Sequence, residues 1–217
     1  MPARVKICGI RTAAAMRATL AAGADFVGLV FFPPSPRNVT VAEAAPLAEM
    51  ARGNAGVVAL TVDADDVLLG AIVAHVKPDM LQLHGSESPE RVAEIRARFG
   101  TPVMKAIKVE TADDAARALA YRGVADLILF DAKAPKGAIL PGGNGLAFDW
   151  RTLVGVKDEV PFMLSGGLTP STVATAIAVT NAAIVDVSSG VETSPGEKSP
   201  ELIREFIEAA HGAPAND

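Results

Sequence analysis

The sequence predicts an α/β protein, a closed (β/α)8 or TIM barrel forming a single domain over residues 1–217, and three observations lead there. Eight short apolar runs can be counted along the chain. They recur at roughly 20–30 residues, the length of one strand-plus-helix unit. No break in composition divides the chain.

The elements follow in order. Val5–Cys8 is the first strand, and its alternation puts Lys6 and Cys8 on one face and Val5 and Ile7 on the other. The apolar pair suits the helix-facing side, which turns Lys6 and Cys8 into the barrel. Thr12–Gly23 has helical spacing behind a capping threonine. Phe26–Phe31 is the second strand, followed by a proline-rich loop, "FFPPSPR", and a helix over Thr40–Arg52. Val57–Val62 and Asp65–Val76 form the third pair, and Met80–His84 and Ser88–Phe99 the fourth. "SPE" at Ser88–Glu90 is a cap with proline in the first helical turn, a signal repeated at Ser199–Glu201. Val103–Val109 precedes a helix over Thr111–Tyr121. Leu127–Asp131 leads into a Gly/Pro loop, Ala134–Gly145, and a short helix near Phe148–Val154. Phe162–Ser165 with Pro170–Thr180, then Ile184–Ser188 with Ser199–Ala210, complete the eight, and the last ~6 residues read as a frayed tail. A doubly wound open sheet is the alternative. A dinucleotide-binding one would carry a glycine-rich turn after its first strand, whereas "GGNGLAF" lacks the third glycine and follows a loop.

Composition narrows the function. The chain is 50% hydrophobic with a net charge of −5 and has no Lys/Arg cluster, which argues against nucleic acid or an anionic membrane as partner. No apolar run approaches the ~20 residues that span a bilayer. With no basic leader and a single cysteine, a reducing, cytoplasmic location is expected. No metal is expected, because Cys8 has no second cysteine and His75, His84 and His211 lack ligand spacing.

Barrel enzymes place their chemistry where the strands end, on the following loops. Here those ends carry Cys8, Arg37, Asp63, His84, Asp131, Ser165 with Gly166 and Gly167, and Asp186 through Gly190. Cys8 is either a small buried hydrophobe or a reactive thiol beside Lys6. Asp131 ends "LILFD"; "AKAPKG" rather than a helix follows it, which weakens the capping alternative. A carboxyl partly shielded from water there is expected to serve as an acid. "LSGGLTP" and "DVSSGVE" could each be a tight turn alone. Together, after the last two strands, they read as a phosphate site built on Gly166, Gly167, Ser188, Ser189 and Gly190. Arg37 is a solvated loop residue unless the ligand carries a second anion, for which a guanidinium fork is suited. It is expected on the opposite side of the mouth from the phosphate loops. Gln82 and His84 share a strand face; His84 is a ligand contact or a satisfied core histidine. With Asp186 they complete the candidate substrate contacts.

The stretches "VKICGI", "FVGLVFFPPSPR", "LQLHG", "LILFDAK", "PGGNGLAFDW", "LSGGL" and "VDVSSGVE", in this order and spacing, resemble the phosphoribosylanthranilate isomerase family over essentially the whole chain. The resemblance implies a (β/α)8 barrel that performs a cofactor-free, metal-free Amadori rearrangement in tryptophan biosynthesis on a small phosphosugar. It further implies Cys8 as general base, Asp131 as general acid, Arg37 on the anthranilate carboxylate and the last two loops on the phosphate. Asn144 departs from the hydroxyl residue usual in the family's "GG-x-G" loop. Opening an aminofuranose needs a proton on the ring oxygen and removal of the C2′ proton, and Lys6 is a candidate stabiliser of the thiolate. Two rivals stand beside this reading. The related histidine-pathway isomerase would carry a carboxylate at the first strand's end and a glycine motif after the third strand, and neither is present. A non-catalytic phosphosugar-binding barrel would not need Cys8 and Asp131. A homodimer is compatible with the sequence.

Overall fold

The computed structural model describes residues 1–133 and 147–213. The loop expected at Ala134–Gly145 and most of the expected tail lie outside the described residues. Eight parallel strands hydrogen-bond around a closed barrel in chain order. They are β1 (Arg4–Cys8), β2 (Phe26–Phe31), β3 (Gly56–Thr61), β4 (Met80–Leu83), β5 (Val103–Val109), β6 (Leu127–Ala132), β7 (Phe162–Leu164) and β8 (Ile184–Val187). β8 closes on β1 with Lys6 opposite Asp186. The helices are α1 (Ala13–Ala21), α2 (Val41–Ala51), α3 (Asp66–His75), α4 (Pro89–Phe99), α5 (Ala112–Ala116), α6 (Val173–Thr180) and α7 (Pro200–His211).

Local chemistry starts these helices where the sequence signals it. The Thr12 hydroxyl accepts from the Ala15 amide, and Thr40 with Glu43 forms a reciprocal capping box. Ser88 and Ser199 cap α4 and α7, each followed by proline in the first turn. Three expectations change. The helix expected over Thr111–Tyr121 splits into α5 and a tighter 3-10 turn, Arg117–Tyr121. That turn carries Tyr121, whose hydroxyl donates to the Glu87 carbonyl at 2.8 Å. The helix near Phe148–Val154 is a 3-10 turn, Trp150–Leu153. α6 begins at Val173 rather than Pro170, because Thr169 and Thr172 spend their hydroxyls on a turn of their own. After β8 an antiparallel pair, β9 (Glu192–Ser194) and β10 (Glu197–Lys198), was not anticipated; both are too short to show a period.

The strand alternation separates two apolar layers. Ile7, Val27, Leu29, Leu81 and Phe130 pack outward against the helices. Val58, Met104, Leu129, Met163 and Ile184 fill the lower barrel interior. Above that plug the inward positions turn polar, with Lys6, Gln82 and Asp186, then Cys8, His84, Asp131 and Ser165. Among the described residues no helix is long and apolar enough to cross a membrane.

Candidate active site

β1 delivers Cys8 to the mouth as expected, and the thiol is buried at 4% exposure. Its strand partner is Gly28. A Cβ at Gly28 would stand 2.8 Å from the Cys8 Sγ, so the missing side chain makes the space the thiol occupies. Gly9 does the same for Arg37, whose Cδ would lie 2.6 Å from an added Cβ. Neither glycine was singled out from the sequence; only the "VKICGI" and "FVGLVF" stretches that hold them were.

Lys6 faces inward as predicted, fully buried, with its Nζ donating to Asp186 Oδ1 and Gln82 Oε1, both at 2.9 Å. Burial alone would pull the ammonium down, but Asp186 and Cys8 together outweigh it and hold Lys6 above its ordinary value. Lys6 does favour the Cys8 thiolate, as expected of it, but it does not decide the outcome. Burial pushes the Cys8 thiol up, Asp186 adds to that, and the cations of Lys6 and Lys198 oppose it without prevailing. The ammonium is shared between the thiol and its closer partners Asp186 and Gln82, and burial of the sulfur outweighs its pull.

From Lys6 a hydrogen-bonded chain crosses the barrel. Gln82 Nε2 lies 2.9 Å from His84 Nδ1, and His84 Nε2 lies 3.2 Å from Asp131 Oδ2. Asp131 Oδ1 accepts from the Ala132 amide at 3.0 Å. On the other side Ser165 Oγ donates to Asp186 Oδ2 at 3.1 Å. Gln82, His84, Asp131, Ser165 and Asp186 thus form one buried network under the mouth. Asp63 lies apart from it, in a positive-φ turn where its carboxylate accepts from the Ser86 amide.

Arg37 is brought to the mouth, but not where it was expected. Its guanidinium forks onto Glu192, Nε to Oε1 and Nη2 to Oε2, each at 2.8 Å. Glu192 follows directly on the Ser188–Gly190 loop, so Arg37 sits against that loop, not opposite it. Lys198 completes the cluster, donating to Glu192 Oε1 at 2.7 Å and to the Ser188 carbonyl at 2.9 Å. Burial alone would raise Glu192, but Arg37 and Lys198 outweigh it and hold its carboxyl below the ordinary range. Glu192 and Lys198 were missed because the short β9–β10 hairpin that folds them inward has no periodic signature.

The two glycine loops meet at the β7 and β8 ends. A Cβ at Gly190 would lie 2.0 Å from the Leu168 carbonyl oxygen, which only glycine tolerates. Gly166 and Gly167 both take positive φ. Among the described residues, the backbone N–H groups of Gly167, Ser189 and Gly190 donate to no protein acceptor. Ser188 spends its hydroxyl on the Cys8 carbonyl at 3.1 Å. No group of three or more His, Cys, Asp or Glu side chains that could hold a metal ion occurs among the described residues.

A closed parallel barrel with a thiol, an imidazole and a carboxyl at its C-terminal mouth, beside two glycine loops, belongs among the (β/α)8-barrel enzymes. The family profile of N-(5′-phosphoribosyl)anthranilate isomerase matches residues 5–209. The N-(5′-phosphoribosyl)anthranilate isomerase of Rhodopseudomonas palustris is 61% identical over 210 residues, covering 97% of this chain and 96% of that protein. A crystal structure of phosphoribosylanthranilate isomerase in complex with reduced 1-(o-carboxyphenylamino)-1-deoxyribulose 5-phosphate superimposes with a TM-score of 0.85 at 34% identity, covering 97% and 99% of the two chains. Monomers generated from the dimeric enzyme of Thermotoga maritima superimpose with a TM-score of 0.85 at 34% identity, again over 97% and 99% of the chains. The chain belongs to the N-(5′-phosphoribosyl)anthranilate isomerase family and is an isomerase of tryptophan biosynthesis.

Proposed function

We propose that this isomerase converts N-(5-phosphoribosyl)anthranilate to 1-(2-carboxyphenylamino)-1-deoxyribulose 5-phosphate by general acid–base catalysis between Asp131 and Cys8. The observation that carries this reading is their placement. Both are buried at strand ends, on β6 and β1, with β7 and β8 between them, so a sugar in the mouth has one group on each side. Asp131 gives its proton to the ring oxygen as the C1′–O bond breaks, leaving an imine. Cys8, as thiolate, removes the C2′ proton to form the enolamine, which tautomerises to the ketone. Atoms and electrons balance within the substrate, so the reaction calls for no cofactor or metal.

Arg37, held in plane by Glu192, takes the anthranilate carboxylate. The phosphate rests on Gly166, Gly167, Ser188, Ser189 and Gly190, a reading supported by the unspent amides of Gly167, Ser189 and Gly190. The same reading takes the protein as a single-domain cytoplasmic enzyme. It is a homodimer, as named for the Thermotoga maritima relative, and light scattering returning a monomer mass refutes that assembly.

The test is loss of anthranilate fluorescence on adding the protein to phosphoribosylanthranilate, repeated with rising inorganic phosphate. Turnover that phosphate inhibits competitively supports the reading. A structure with phosphate bound away from these loops overturns the phosphate assignment.

A further inference from the structure

Lys6, Gln82, His84 and Asp131 are linked end to end, and the chemistry of the first link dictates the rest. An ammonium has donors only, so Gln82 must present its carbonyl oxygen to Lys6. Lys6 is fully buried and ion-paired to Asp186, so it cannot swing away to water. The Gln82 amide is therefore oriented, and its NH2 faces His84 Nδ1 at 2.9 Å. A donor facing a ring nitrogen requires that nitrogen to be the acceptor. The proton of the neutral ring then sits on Nε2, aimed at Asp131 Oδ2.

We propose that Gln82, pinned by Lys6, is a positioning residue that holds His84 as its neutral Nε2–H tautomer and thereby fixes the carboxyl of Asp131. This rests on the reading of Asp131 as the acid. Gln82 has no exposed surface and both ends of its amide are engaged, so it acts through His84 and not by touching substrate. The backbone around His84 is held as firmly. Its amide donates to the Thr61 carbonyl at 2.8 Å, and Lys105 Nζ donates to the flanking carbonyls of Leu83 at 3.2 Å and Gly85 at 2.8 Å. The charged groups around this strand end are Asp131 on β6, its register partner Lys108 on β5, Lys6 and Asp186 below, and Lys105, Glu87 and Asp63 about the β4 loop. The neutral tautomer has a chemical purpose. An imidazolium against Asp131 would favour the carboxylate, the form with no proton to give.

Nitrogen-15 spectra of the histidine-labelled enzyme at neutral pH read the tautomer directly. The wild type is expected to show His84 protonated at Nε2 and bare at Nδ1; an Nδ1–H tautomer or an imidazolium overturns the proposal. Gln82→Glu offers an acceptor to both Lys6 and His84, so Nδ1 is expected to become protonated. Turnover is expected to fall by roughly 10²-fold, the cost of a small misplacement of a catalytic group, with KM little changed. Flipped protonation with unchanged kcat, or unchanged protonation, overturns it equally. If Gln82→Glu does not fold, Gln82→Met replaces it: the Nδ1 partner is lost without added charge, and the tautomers are expected to mix. Asp131→Asn separates the two readings. Full turnover in that variant beside an Nε2–H wild-type His84 removes the acid but leaves the Gln82–His84 lock standing.

Discussion

Gly28 and Cys8 face each other across the β1–β2 ladder, and a Cβ on Gly28 would lie 2.8 Å from the thiol sulfur and 3.0 Å from the Cys8 Cα. The second contact is to backbone, which cannot rotate aside. Gly28→Ala is expected to displace Cys8, lowering turnover at least tenfold and stability by about 1–3 kcal/mol, the usual cost of overpacking. Fluorescence turnover and urea unfolding check the two effects. An unaltered rate means the thiol has room that the geometry does not grant.

Cys8→Ser is expected to fold and bind substrate while losing roughly 10²–10⁴ in turnover, the range for one acid–base group. Wild-type kcat/KM is expected to rise with pH as the thiolate forms. Burial, then Asp186, raise the folded thiol, so the limb lies above the ordinary ~8.5. Lys198 pulls the thiol down, and Lys198→Met is therefore expected to move the limb higher still. A limb that ignores Lys198, or a serine variant with full activity, removes Cys8 as the base.

Asp131→Asn keeps the size of the side chain and its acceptor toward His84 but has no proton to deliver. Turnover is expected to fall by roughly 10²–10⁴ with KM nearly constant. Near-normal turnover transfers the acid role to Asp186 or His84.

Arg37→Ala is expected to raise KM by about 10–100-fold, the equivalent of one charge-assisted hydrogen bond, and Arg37→Lys by less. Because Arg37 grips Glu192 beside the β8 loop, the alanine variant is also expected to bind inorganic phosphate more weakly. Calorimetry with phosphate alone reads this. Unchanged phosphate affinity disconnects the two anion sites.

Acid is expected to loosen the mouth and the β4 loop together. Burial alone would raise Glu192 and Glu87, but Arg37 with Lys198, and Lys105, hold them below the ordinary carboxylate value. A depressed carboxyl contributes stability above its unfolded pKa, about 4.3, and loses it as pH falls through the lower folded value. Urea midpoints are expected to drop below about pH 4.3, and less steeply in Glu192→Gln. Parallel curves for the two proteins reject Glu192 as a contributor.

Much of this architecture was legible because it is repetitive. Eight apolar runs separated by capped helices report a barrel directly, and the strand period turned Lys6 and Cys8 inward before any contact was known. The candidate residues at the strand ends could be found for the same reason, since a polar residue closing an apolar run stands out. Glu192 and Lys198 did not stand out. They lie on strands of three and two residues, whose place is set by contacts with Arg37 and Ser188 rather than by a pattern.

By itself the sequence determined which residues stand at the strand ends: Cys8, His84, Asp131, Ser165 and Asp186 are polar or reactive residues closing apolar runs, a local property. Only the tertiary structure decided what those residues do to one another. That Gly28 makes room for the thiol, that Lys6 pairs with Asp186, that Glu192 holds Arg37 beside the β8 loop and that Gln82 links Lys6 to His84 are contacts between residues as many as 180 positions apart. Closing the barrel brings those residues together, and burial makes each contact count, because a polar group without water must take its partner from the protein around it.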